Sequence, residues 1–171
     1  MANMGMGVLA APDTIYKRRF RWMFEIIGVC GEREGVNVLP PLKGARPNLA
    51  FKNIEVQHLI ENVYLPGKPD WKPINLTLYD ICTQGGSHPV WDWIYEIYQP
   101  YEGNYFPIIN ENGIFKKTGE LEMYSGCGDI IESWTFENCW PEQINFGELD
   151  MGNNEVVTCD ITLKYDRAWR N

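Results

Sequence analysis

EVVTCDITLKY, residues 155–165, alternates apolar and polar side chains with almost no fault. Val157, Cys159, Ile161, Leu163 and Tyr165 share one face, and Val156, Thr158, Asp160, Thr162 and Lys164 share the other. That period of two is the signature of a half-buried β-strand. A slip of one residue would turn the whole apolar set to water. Burying one large apolar side chain is worth about 1.5–3 kcal/mol, so four of them hold the register by about 6–12 kcal/mol. Such a strand belongs in the core of a β-sandwich or barrel. Upstream of it, Trp140-Pro141 reads as the break of an earlier strand, followed by a turn-rich segment.

The same period recurs outward from that strand. RRFRWMFEII (18–27) sets Phe20, Trp22, Phe24 and Ile26 against Arg19, Arg21, Met23 and Glu25. PINLTLYD (73–80) sets Ile74, Leu76 and Leu78 against Asn75, Thr77 and Tyr79. ELEMYS (120–125) and DIIESWTFEN (129–138) flank SGCGD, a hairpin in which Gly126 and Gly128 supply the positive φ of a tight reversal. PVWDWIYEIY (89–98) is different: Ser87 or His88 suits a cap, Pro89 a first turn, and Trp91, Ile94, Tyr95 and Tyr98 fall at helical spacing before Pro100. The expected fold is mainly β, an antiparallel β-sandwich or barrel with one short flanking α-helix. Residues 1–17 read as an N-terminal arm, residues 18–171 as a single domain, and residues 101–119 as an irregular loop.

NLAFKNIEVQHLIENVYLPGKPDW (48–71) holds two β-rich runs, around residues 50–57 and 59–65, with polar residues on both faces. Core burial cannot fix the register of such a ribbon within one chain. It gains by lying on something else. Phe51, Asn53, Glu55, Val63 and Tyr64, together with the arm, are therefore the expected contacts with a partner surface.

Composition narrows the function. A chain of 171 residues buries roughly 70% of its extended surface and needs no metal or disulfide to fold. Its net charge is −8, from 15 Lys plus Arg against 23 Asp plus Glu, the wrong sign for gripping nucleic acid through phosphates. The five cysteines, Cys30, Cys82, Cys127, Cys139 and Cys159, form no CxxC pair, so a zinc ribbon or redox motif is not expected. Small buried thiols without cross-links are. The start of the chain shows no basic leader, and no apolar run approaches a membrane span. A soluble protein made in the cytoplasm, with no membrane partner, is expected.

Catalytic candidates are sparse. With only His58 and His88, a histidine triad or metal cluster is hard to build. GCGDII (126–131) begins like a dinucleotide loop, but Ile131 stands where the third glycine belongs and a strand follows. The carboxylate of Asp129 would raise the pKa of Cys127, the opposite of what a nucleophile needs. Glu120, Glu122, Glu132 and Glu137 could pair across a cleft as in glycosidases, but solvated carboxylates on a sheet face are commoner. No enzyme activity, cofactor or metal is expected.

The order and spacing of these segments, over roughly residues 17–167, resembles the tail tube proteins of contractile-tailed bacteriophages. The resemblance is carried by the opening KRRFRWMFEI strand, the Arg-Pro turn, the ribbon with its Pro-Gly turn, the helix, and a C-terminal signature. That signature comprises Trp134, Phe136, Asn138, Trp140, Pro141, Ile144, Gly147, Leu149, Asp150, Asn154, Glu155, Tyr165 and Asp166. It implies a self-assembling virion protein, built in the bacterial host cytoplasm. Six copies would form a ring, and rings would stack into the inner tube of the tail. The implied partners are further copies of the chain, the tail sheath, the tape-measure protein, the baseplate and the tail terminator. DNA would pass through the lumen without specific binding. The neighbouring alternatives are the tube of a type VI secretion or extracellular contractile injection system, and a baseplate tube-initiator.

Overall fold

A computed structural model describes residues 17–27, 41–58, 60–81, 87–105 and 115–171. In chain order its elements are β1 (Trp22–Ile27), β2 (Pro41–Gly44), β3 (Asn48–His58), β4 (Glu61–Lys72), β5 (Ile74–Tyr79), α1 (Ser87–Ile97), β6 (Tyr98–Gln99), β7 (Asn104–Tyr105), β8 (Lys117–Tyr124), β9 (Ile130–Asn145), β10 (Thr158–Lys164) and β11 (Arg167–Arg170). Of the expected arm, only Lys17 lies among the described residues, and residues 106–114 of the expected loop lie outside them.

The alternating closing strand is β10, and its register is as its pattern demands. Cys159, Ile161 and Leu163, with Tyr165 just beyond, are buried, while Asp160 and Lys164 are exposed. β10 lies between β9 and β5, antiparallel to both, with Ile161 opposite Ile144 on one side and Leu76 on the other. β2 pairs the far edge of β5. A second layer forms from β1, β8, the first part of β9, and β11. The two layers share β9, a strand of 16 residues that leaves one and enters the other. No pairing joins β1 to β2 among the described residues, so the fold is sandwich-like and does not close into a barrel. Phe24, Ile26, Ile74, Leu76, Leu78, Leu121, Phe136 and the inward face of β10 form the core between the layers.

Three local expectations are corrected. Trp140-Pro141 does not end a strand: Pro141 pairs Leu163 next to a register shift, where a missing N–H is tolerated. The break is three residues earlier, at Asn138, whose φ of 57° turns β9 from one layer to the other. Phe20 is 74% exposed in a turn, and the strand begins only at Trp22. In the SGCGD reversal only Gly128 takes a positive φ, of 94°; Ser125 does the rest, its Oγ accepting from the N–H groups of Cys127 and Asp129 at 3.2 and 3.1 Å.

The helix is present, but its buried face is Val90 and Trp93 rather than Trp91, Tyr95 and Tyr98, which are exposed, or Ile94, which is half-buried. Trp93 joins the core and its Nε1 donates to the carbonyl of Phe115 at 2.6 Å. A Lys117–Glu96 ion pair at 2.8 Å ties the helix again to the start of β8. The capping roles expected of the Ser87 and His88 side chains lie outside the described residues.

Candidate subunit-contact surface

Among the described residues β3 and β4 pair only with each other. Isolated two-stranded ribbons are marginal in water, so this one depends on its root and on whatever covers it. At the root, Trp71 of β4 packs at a tilt against Tyr165, 5.9 Å between ring centres, and the Tyr165 ring meets Phe136 of the core edge-on at 5.1 Å. Farther out the register shifts between Phe51 and Asn53, where Phe51 faces Pro69 and Asn53 faces Pro66. Gly67 sits in that bulge, and a Cβ there would lie 2.6 Å from the carbonyl oxygen of Lys52. Only glycine allows the strands to approach so closely.

The ribbon is not polar on both faces, as its sequence reading held. Ile54 lies opposite Leu65, and Val56 opposite Val63. These four form a continuous apolar face, and each is 43–49% exposed. Full burial of such a side chain gains about 1.5–3 kcal/mol, so covering the half still in water would yield about 3–6 kcal/mol for the set. The opposite face carries Glu55 against Tyr64 and Gln57 against Asn62, with Asn62 donating through its side chain to the Glu55 carboxylate.

The expected contact residues therefore divide. Phe51, Asn53, Glu55 and Tyr64 share the polar face, with Phe51 and Tyr64 each 60% exposed. Val63 belongs to the apolar face with Ile54, Val56 and Leu65, which sequence reasoning passed over. Part of the signal was present: NIEVQ (53–57) alternates, and in NVYL (62–65) Val63 and Leu65 flank Tyr64. It was obscured because the charged and amide residues between them were assigned to both faces.

A second exposed apolar surface lies at the other end of β5. There the segment 146–157 leaves β9 for β10, placing Leu149, Met151 and Val156 in solvent. Phe146 meets Trp91 of α1 edge-on at 5.9 Å, and Tyr95, Tyr98 and Tyr101 continue the aromatic surface along and beyond the helix.

Nothing in either surface resembles a reaction centre. The Cys139 and Cys159 thiols are buried, and that burial pushes their pKa values up to about 12 and about 11, which makes them poor nucleophiles at neutral pH. Cys127 is exposed and free. Among the described residues no group of His, Cys, Asp and Glu is arranged to hold a metal. No described helix is long and apolar enough to cross a membrane.

Comparison with known proteins gives consistent matches. Residues 61–168 match the family described as T4-like virus tail tube protein gp19. No curated protein matches. Among solved structures, the chain resembles one from the sheath/tube terminator of PVC, an extracellular contractile injection system in its extended state. That match has a TM-score of 0.70 at 17% identity, covering 93% of this chain and 99% of that one. The sheath-tube complex of the same system gives 0.68 at 16% identity over 98% and 97%. Hcp1 from Salmonella typhimurium gives 0.51 at 12% identity over 86% and 83%.

Proposed function

The chain belongs to the T4-like virus tail tube protein family, and from that premise we propose that six copies close into a ring and that rings stack into the inner tube of a phage tail. Members of this family are structural tube proteins of contractile tails, not enzymes. The tube so formed is the conduit for DNA ejection, surrounded by tail sheath, filled by the tape-measure protein during assembly, and bounded by baseplate and tail terminator.

The observation that carries this reading is the β3–β4 ribbon, which projects from one end of β5 with an uncovered apolar face, while a second apolar surface lies at the other end. Two unlike surfaces on opposite ends favour heterologous, head-to-tail contacts, which form rings where the rotation closes. Ile54, Val56, Val63 and Leu65 lie against the next copy, and Phe51, Asn53, Glu55 and Tyr64 form the polar side of the same contact.

Charge supports a conduit. Six chains at −8 each bring 6 × −8 = −48 formal charges. Duplex DNA carries roughly one negative charge per 1.7 Å of axis, so an acidic wall repels it and prevents adhesion during passage.

The fold resemblance to injection-system tubes favours one alternative, a tube that carries protein rather than DNA; a baseplate tube-initiator, present in few copies per particle, is a closer variant of the main reading. Electron microscopy of the concentrated protein tests the main reading. Hollow tubes with a bore wide enough for duplex DNA are expected. A protein that stays monomeric at every concentration, with or without a baseplate template, contradicts it.

A further inference from the structure

One buried charge takes no part in the assembly surfaces described above. Glu132 on β9 points inward in line with Trp134 and Phe136, and only 3% of its side chain is exposed. A carboxylate so far from water is costly unless it is paired and hydrogen-bonded. Its partners come from three separate parts of the chain. Lys17, where the described chain begins, pairs with Oε2. The Trp134 indole donates to Oε1 at 2.5 Å, and Arg46 lies 3.7 Å from the same oxygen.

The positions of the two cations give the contact its meaning. Arg46 sits in the short joint 45–47 that connects β2 to the ribbon strand β3. Lys17 precedes the turn from which β1 starts, where the Tyr124 N–H donates to the Arg21 carbonyl at 3.0 Å. Arg170 of β11 also lies close enough to act on Lys17: burial first, then Arg170 and Arg46, hold the Lys17 ammonium below its usual range. Two cations thus meet one carboxylate, and a third lies near Lys17. Were it neutral, Lys17 and Arg46 would repel each other across the gap it fills.

We propose that Glu132 is a coupling residue that fixes the exit of the N-terminal arm and the root of the β3–β4 ribbon to each other. The proposal rests on the reading of the ribbon as a contact between copies, and deepens it. Trp71 holds the ribbon at its root; the Arg46–Glu132 pair adds a hold on the joint from which the ribbon leaves, and the Lys17–Glu132 pair ties that joint to the residue that precedes the turn into β1. The two elements offered to neighbouring copies are then set together.

Hydrogen exchange with mass spectrometry on the unassembled full chain tests this, using Lys17→Met and Arg46→Met separately. Coupling predicts that Lys17→Met speeds exchange in residues 44–50, and Arg46→Met in residues 17–22, by about tenfold, as expected for loss of a contact to a buried charge. Exchange in residues 159–163 stays unchanged in both. Changes confined to the segment bearing each substitution overturn the proposal. Tube growth by an Ile54→Ser variant is read in parallel: unimpaired growth contradicts the ribbon reading alone, because that substitution leaves Glu132 and its partners in place.

Discussion

The Asn138 side-chain amide donates to Asp166 Oδ2 across 2.8 Å, a bond that links two corners of the sandwich. Asn138 is where β9 changes layer, and Asp166 is where the chain turns from β10 back to β11. The Asp166 N–H donates to the Glu137 carbonyl at 3.0 Å, and Lys116 pairs with its carboxylate at 2.9 Å. Asparagine is among the few residues that tolerate a left-handed backbone, so Asn138 serves both needs of the corner.

Replacing Asn138 separates those needs. Asn138→Gly keeps the backbone permitted and loses the bond, costing about 1 kcal/mol. Asn138→Ala leaves a Cβ in the left-handed region without the polar side chain that eases asparagine there, and costs about 2 kcal/mol. Urea denaturation of both variants checks the order; equal losses would show that the backbone contributes nothing.

The same corner sets an acid limit. Burial tends to raise the Asp166 pKa, but hydrogen bonds from Lys116 and Asn138, with the charges of Lys116 and Arg167, outweigh it and hold the carboxyl below its ordinary 3.8. A depressed folded-state value means the stabilisation is complete above about pH 4 and is lost as pH falls through that lower value. Asp166→Asn should therefore be less stable than the parent at pH 7 and should flatten the decline in stability below pH 4. An unchanged acid limb would contradict this.

On the outer face of the β1–β8 layer, Glu25 lies directly opposite Glu120. Like charges facing across antiparallel strands repel, typically by about 0.2–1 kcal/mol. Glu120→Gln should raise the thermal midpoint of the unassembled chain, with the gain shrinking at high salt. A loss of stability would mean that Glu120 has a favourable partner.

Thiol accessibility should follow burial. Brief alkylation at pH 8 followed by peptide mapping should label Cys127, which is exposed, and leave Cys139 and Cys159 unmodified in the folded protein. Equal labelling of Cys127 and Cys159 would place β10 outside the core.

Much of the sandwich was legible because burial wrote it into a period of two. β10, β5 and the Phe24–Ile26 part of β1 each carry an apolar set that only one register buries. The helix was legible as a helix but not in its facing: Trp91, Tyr95 and Tyr98 are as apolar as Val90 and Trp93, and only the core decides which are covered. The layer switch at Asn138 left no pattern, since one left-handed residue inside a long strand changes direction without changing period. For the ribbon, alternation was present around Ile54 and Val56, and Tyr64 blurred it between Val63 and Leu65. Among the described residues it had no buried neighbour to reveal its meaning.

The central claim is that the ribbon's apolar face is covered by another copy. A cryo-electron microscopy reconstruction of the assembled tube, resolved to side chains, tests it most directly. The account predicts Ile54, Val56, Val63 and Leu65 packed against a neighbouring subunit and closed to solvent. A tube in which those four side chains face water, with the subunits held by other surfaces, would contradict it.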